Sequence, residues 1–272
     1  MPRNKPKGPK PAEQAPSKSP LQSYFLAPLR TDLLVELQMI FLSFITGIQD
    51  AATYVDYHAF ASNQTGNTVL LAVAVAGIER DSSLFIPRNI GVSLGSFTVS
   101  VWVFGQLGGM VGPRKRAWVL ASNFVQTVLV FVAAALQYVY GVRLQSGVSL
   151  GIIALLSVAA GGQIVLSRNL GINEIPTAIA TSAWVDLLSD KRLFAWDNRG
   201  RNRRVAFLLA LVAGSFCGAY MYSRVDSAFT LMMSAVGKAI VTMSFCCNLS
   251  VESNPPRQKS GEKGDAKVVN GK

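Results

Sequence analysis

Two stretches decide how this chain reads. The first is Gly47-Ile48-Gln49-Asp50, followed after a bend by Asn63-Gln64-Thr65-Gly66-Asn67-Thr68. The second, about 115 residues further on, is Gly161-Gly162-Gln163, followed by Pro176-Thr177 and then Thr181-Ser182. Each set of glycine and polar positions interrupts sequence that is otherwise oily enough for lipid, and each runs into a short helix opened by a Thr-rich turn. A polar break at bilayer depth is costly and is tolerated where it faces protein or a water-filled cavity. Paired breaks in the two halves of one chain point to a transporter-like central site.

Outward from these stretches, the composition is that of a membrane protein. Of 272 residues 50% are hydrophobic and only 15% charged, and the mean hydropathy is +0.33 even though both ends pull it down. Residues 1–30 hold six Lys/Arg and seven of the twelve prolines, and residues 249–272 hold five further basic residues. These ends read as disordered basic tails, 1–31 and 249–272, around a membrane domain at 32–248. The Lys/Pro stretch at the start is too long for a secretory signal. A net charge of +11 would suit nucleic acid. The basic residues sit in short clusters beside apolar runs, however, where the positive-inside bias puts them, and no nucleic-acid partner is expected.

Long spans read at 33–57, 90–111, 117–140, 147–166, 205–222 and 228–247. Two shorter stretches, 63–77 and 175–189, would rise only about 22 Å as helices, short of a core about 30 Å thick. They are either re-entrant half-helices or short full crossings. The six-crossing arrangement keeps Arg114-Lys115-Arg116 inside in a very short loop, where the positive-inside rule is strongest. Both arrangements put both termini in the cytosol. With six crossings the halves, about 33–140 and 147–248, enter the membrane in opposite senses, an inverted repeat. The pairs Gly91/Gly95, Gly105/Gly109 and Gly214/Gly218 offer small-residue packing faces.

The run Gly47-Ile48-Gln49-Asp50 with Asn63-Gln64-Thr65-Gly66-Asn67-Thr68 resembles the YoaK-like family, multi-span membrane proteins of unknown function, whose members show Gly-x-x-Asp in the first span and Thr-Gly-Asn at the start of the next. Its second signature, Gly-x-Gln with a later Thr-x-x-x-Thr-Gly, is similar to Gly161-Gly162-Gln163 and Thr177 to Thr181. Ser182 stands where that family usually has glycine, and Ile164 where a small or polar residue is common. The resemblance covers roughly 33–248. It implies a membrane protein of about six spans and carries no established reaction.

The residues expected to line a solute site are Gln49, Asp50, Thr65, Gly66, Asn67, Gln163, Thr177 and Thr181. Asp50, late in the first span, reads as a proton or cation site or a partner for a buried lysine; the bland alternative is that the helix breaks at Gly47 and Asp50 caps the next piece. Lys238, at the midpoint of the last span, is expected to pair with Asp50 or Asp186, and these three are the candidates for ion coupling. Backbone amides at the two short-helix starts favour polar or anionic ligands, although Asn and Thr there also serve as plain caps. His58 reads as an interfacial histidine. The three cysteines, Cys217, Cys246 and Cys247, form neither a disulfide framework nor a metal motif and read as buried thiols. No metal, cofactor or catalytic motif is found, so no enzyme is expected.

The sequence therefore describes an all-α polytopic integral membrane protein, with six crossings and two short helices. Its expected role is a transporter or channel for a small polar or anionic solute held between two half-helix starts near the midplane. A non-transporting scaffold or sensor acting through its basic tails and loop 190–204 is the alternative. The expected partners are the lipid bilayer, anionic lipids at the basic clusters, and further copies of the chain.

Overall fold

Six helices in the computed structural model are long and apolar enough to cross a membrane. The structure describes residues 19–77, 86–144 and 146–251. In chain order the helices are α1 (Pro20–Leu26), α2 (Leu33–Tyr57), α3 (Gln64–Val75), α4 (Pro87–Val111), α5 (Arg116–Tyr140), α6 (Gly147–Leu170), α7 (Ala180–Leu188), α8 (Arg199–Arg224) and α9 (Ser227–Ser244), closed by a 3-10 turn, Phe245–Cys247. No strand is formed among the described residues; two isolated bridges are the only extended pairing there.

Local chemistry sets the ends. Asp32 caps α2 through the Val35 N–H at 3.2 Å, Asp226 caps α9 through Phe229 at 2.6 Å, and Pro87 opens α4, where a missing N–H costs nothing. His58 ends α2 in a left-handed conformation (φ 52°) against the edge of Tyr54, and Gly171 ends α6 likewise (φ 75°).

All six long helices run from one end of the molecule to the other. At one end, Gln38 near the start of α2 bonds Asn248, Arg116 at the start of α5 donates to the Asn248 and Tyr24 carbonyls, and Glu36 pairs with Arg199 and Arg203 of α8. At the other end, Asn89 of α4 donates to the Tyr57 and Leu144 carbonyls, each at 3.0 Å. There too Gln137, Tyr222 and Ser227 converge on Asp56. α4 therefore begins at the end where α2 finishes.

Two apolar clusters fill the bundle. One, towards the basic end, includes Val35, Leu42, Val119, Leu166, Phe207 and Phe245; the other includes Ala52, Val130, Ile153, Leu156 and Leu231. Between them lies a polar layer of Thr46, Gln49, Gln126, Gln163, Ser234 and Lys238, all buried except for the helix surfaces they leave. Two seams bind the bundle, α2 against α8 and α4 against α6.

Several expectations are corrected. α2 and α6 run unbroken through Gly47 and Gly161. The glycines are there for close approach: a Cβ on Gly47 would sit 2.6 Å from Ser215 N, and one on Gly214 would overlap the Phe44 backbone. The second short helix starts at Ala180 rather than 175, because Pro176 disfavours a helical Ile175 and Thr177 takes φ 58°. The inner parts of both expected tails are built in. α1 forms, Leu29 is fully buried, the Leu29 N–H donates to Arg114 O (2.9 Å), and the Arg30 N–H donates to Leu249 O (3.0 Å). The remainder of the expected tails, 1–18 and 252–272, lies outside the described residues. Cys246 and Cys247 are exposed at the final turn rather than buried, and Cys217 is partly buried.

Candidate functional site

The site begins with Asp50 on α2, one turn beyond Gly47. Its partner is the 58–63 loop that doubles back along the helix. Ser62 donates its N–H (3.0 Å) and its hydroxyl (2.5 Å) to the two Asp50 oxygens. That loop is fixed by Asn67, which is fully buried: its amide donates to Phe60 O (2.8 Å) and accepts from Phe60 N (2.9 Å). Ser93 of α4 joins the cluster and meets Ser157 of α6 at 2.8 Å. Asn63 caps α3 through the Gly66 N–H at 3.1 Å. Gly66 lies close to the Phe60 ring, 3.1 Å from where a Cβ would stand.

The second short helix reaches the same place from the opposite half. Ser167 holds Ile175 O at 2.7 Å, steering the loop after α6 back along that helix. Thr177, fully buried, leaves its hydroxyl without a partner. Ile179, at the N-cap of α7, supplies no side-chain cap.

Between the two helix starts lies a cavity of about 570 Å³. Asp50, Ser62, Gln64, Thr65 and Gly66 line it from the first half, with Ala178, Ile179, Ala180 and Thr181 from the second. Gly47 and Ile164 face it along α2 and α6, and Phe97, Leu211 and Ser215 along α4 and α8. Much of this lining falls into pairs 114 residues apart, namely Asp50 and Ile164, Gln64 and Ala178, Thr65 and Ile179, Phe97 and Leu211. The seams repeat at the same interval. Gly47 is seated on the Leu211 carbonyl and Gly161 on the Phe97 carbonyl; Gly214 lies on Phe44 O, while Ser100 donates to Val158 O at 2.6 Å.

The expected site residues thus divide. Asp50, Thr65, Gly66 and Thr181 share the cavity. Gln49, Asn67, Gln163 and Thr177 are buried outside it, as structure rather than lining. Gln49 donates to Ser234 at 3.2 Å, and Gln163 donates to Thr46 at 2.8 Å.

The expected pairing of Lys238 with Asp50 or Asp186 is not what forms. Lys238 is 1% exposed and donates to Gln163 Oε1 (2.6 Å) and Gln126 Oε1 (3.2 Å). No carboxylate among the described residues pairs with it. Its side chain points into the helical polar layer, while Asp50 faces the loop, and Asp186 is exposed on the outer face of α7.

Several participants escaped the sequence reading. Ser62 adjoins Asn63 in the same polar break and was legible there. Asp56, held by Gln137 (2.7 Å), Tyr222 (2.8 Å) and Ser227, sits at a span end, where a carboxylate ordinarily meets water.

At the basic end most arginines are already engaged. Arg203 bonds Glu36 (2.6 Å) and Glu174 (3.3 Å), and Arg201 donates to the Leu193 and Ala195 carbonyls. Asn198 and the Arg192 N–H donate to Asp190, which holds that carboxyl below its ordinary range. No group of three or more His, Cys, Asp or Glu side chains suited to a metal ion occurs among the described residues.

No curated protein and no solved structure matches the chain. A family model described as protein of unknown function (DUF1275) matches residues 38–244, which carry every helix of the cavity. The Gly47–Asp50 run and the Thr-Gly-Asn turn lie within that match, which takes in nearly all of the six long apolar helices, and the chain belongs to this family.

Proposed function

We propose that this protein is a membrane transporter or channel for a small polar solute, which it binds in the cavity between the starts of α3 and α7 and carries without chemical change. One observation supports this above the others: Thr65 and Thr181, far apart in sequence and opening two short helices, line the same chamber. A volume of about 570 Å³ is in the range of small-molecule sites, roughly 300–1,000 Å³.

The same reading makes α3 and α7 re-entrant half-helices and the two halves an inverted repeat. The packing supports it. α2 meets α8 as α6 meets α4, α2 meets α9 as α6 meets α5, and α3 lies on α4 as α7 lies on α8. A two-fold relation between halves requires that pattern, and a binding site near the axis of such a relation is the arrangement through which rocking of one half against the other exposes a solute alternately to two sides. The end bearing Arg114–Arg116, Arg199–Arg204 and residues 29–30 and 249–251 then faces the cytosol.

A scaffold or sensor is favoured by one feature, the dry packing of Gln49, Asn67 and Gln163. It is disfavoured by another, since Arg199, Arg201, Arg203 and Arg204 are turned to internal partners rather than left free for binding. Uptake into proteoliposomes across a panel of small polar solutes separates the two. The transporter reading expects uptake of at least one solute above protein-free vesicles and its loss in Thr181→Trp, which fills the chamber. Absence of uptake across the panel, or uptake indifferent to Thr181→Trp, contradicts it.

A further inference from the structure

The chamber's two walls differ in chemistry, and that difference defines what fits. Of the paired positions, the first half contributes Asp50, Gln64 and Thr65, and the second half contributes Ile164, Ala178 and Ile179. The first wall is polar and carries a carboxylate; the facing wall is mostly aliphatic, its hydroxyls being those of Thr181 and Ser215. Phe60 and Phe97 close the sides.

Among the described residues no lysine, arginine or histidine lines the cavity, and Asp50 takes part in none of the ion pairs there. Both of its oxygens accept hydrogen bonds from Ser62, one from the N–H and one from the hydroxyl. The helix starts offset this charge only in part. Each is worth about half a unit of positive charge, and Asn63 already holds the Gly66 N–H of α3. Asp50 is the one charged side chain among the described residues that line the cavity, and a solute anion would meet it at close range.

A bare metal ion fits no better. Magnesium and calcium take about six to eight oxygen ligands at about 2.0–2.6 Å, whereas this chamber offers one carboxylate and much apolar surface. Its size and its aliphatic side call for an organic body, and its aromatic rings suit a cation, because ring faces attract positive charge.

We infer that the solute is a small organic ammonium, its charged nitrogen against Asp50 and its apolar portion against Ile164, Ile179 and Leu211. This rests on the chamber being a solute site, and it replaces the anionic end of the expected solute range with a cationic one.

Three four-carbon probes test it: n-butylammonium, n-butyrate and the neutral n-butanamide. Each is measured by equilibrium dialysis against the purified full chain, in the parent and in Asp50→Asn. The ammonium is expected to bind at least about tenfold more tightly than butyrate, since like-charge juxtaposition costs several kcal/mol. Asp50→Asn should remove that preference, and Asp50→Glu should restore part of it. Butyrate binding as well as the ammonium does, or an unchanged preference in Asp50→Asn, overturns the inference. If the amide or butyrate binds and Thr181→Trp blocks it, the chamber stands and only its charge class is wrong; if no probe binds, the chamber reading falls as well. Should Asp50→Asn not yield folded protein, the ranking of the three probes on the parent decides, together with Asp50→Glu, which retains a carboxylate and should retain part of the ammonium preference.

Discussion

The two seams of the bundle do the same mechanical task with different materials. Where α2 crosses α8, glycine lies on backbone: Gly47 on Leu211 and Ser215, Gly214 on Phe44, Gly218 on Ile48. Where α4 crosses α6, side chains intervene, with the Ser100 hydroxyl on Val158 O and the Phe104 ring over Gly162. The first seam has no atom that can give way, while the second can turn a hydroxyl or shift a ring. The lesson extends to the chamber between them. A shared packing plan can be kept while the lining diverges, so that one half supplies Asp50, Gln64 and Thr65 where the other supplies aliphatic groups.

The strongest way to break this comparison is Gly214→Ala. Its methyl would overlap fixed backbone, so a loss of about 3 kcal/mol or more, or failure to fold, is expected. The counterpart Gly161→Ala, opposed mainly by the Ser100 side chain at 2.9–3.0 Å, should cost about 1–2 kcal/mol. Denaturation of both variants in detergent checks the order; equal costs would erase the distinction between seams.

A second contrast lies within the site. Asn67 ties down Phe60 from a fully buried position, and Asn67→Ala should cost about 2–3 kcal/mol by orphaning buried backbone groups. Thr181 makes no hydrogen bond and faces the chamber, so Thr181→Ala should change stability by less than about 0.5 kcal/mol while altering solute binding. Thermal unfolding paired with probe binding separates the structural residue from the lining one.

Lys238→Met sharpens the boundary between the polar layer and the chamber. Removing a buried ammonium is favourable, but it strands the Gln126 and Gln163 carbonyls. The two effects oppose, and a net change within about 2 kcal/mol is expected, with the preference among solutes intact. A switched preference would join Lys238 to the site.

The smallest effect concerns the loop before α8. Asp190 has its carboxyl lowered by Asn198 and the Arg192 N–H, so the folded loop is favoured above the ordinary aspartate range and loses that support as pH falls through and below it. Fluorescence of Trp196, fully exposed on this loop, should report loosening in acid in the parent. In Asp190→Asn the acid step should disappear.

Much of this architecture was legible in the chain. Apolar length alone located the six long helices, since lipid imposes a minimum that few other segments meet. The start of α7 was misplaced because hydropathy does not see the turn that Pro176 and Thr177 impose. That Gly47 serves close packing rather than the helix break weighed as the alternative was not visible, for its partner Gly214 lies on a helix whose facing direction is set only by packing. The partner of Lys238 was hidden for the same reason: charge suggested a carboxylate, but the faces of α5 and α6 presented two glutamines. Thr65 and Thr181 stood out as hydroxyls in otherwise apolar stretches, and both line the cavity. Gln49 and Gln163, equally polar within their spans, hold the helices together instead.

The central claim is that the starts of α3 and α7 border one chamber. It is tested most directly by placing cysteines at Thr65 and Thr181 in a chain whose Cys217, Cys246 and Cys247 are replaced by serine or alanine, then treating membranes with a short, water-soluble, thiol-specific crosslinker. A shared chamber predicts efficient crosslinking within one chain, read as protection of both thiols from later labelling, and its suppression in the presence of n-butylammonium. Ready labelling of each thiol alone without any crosslink between them would contradict it.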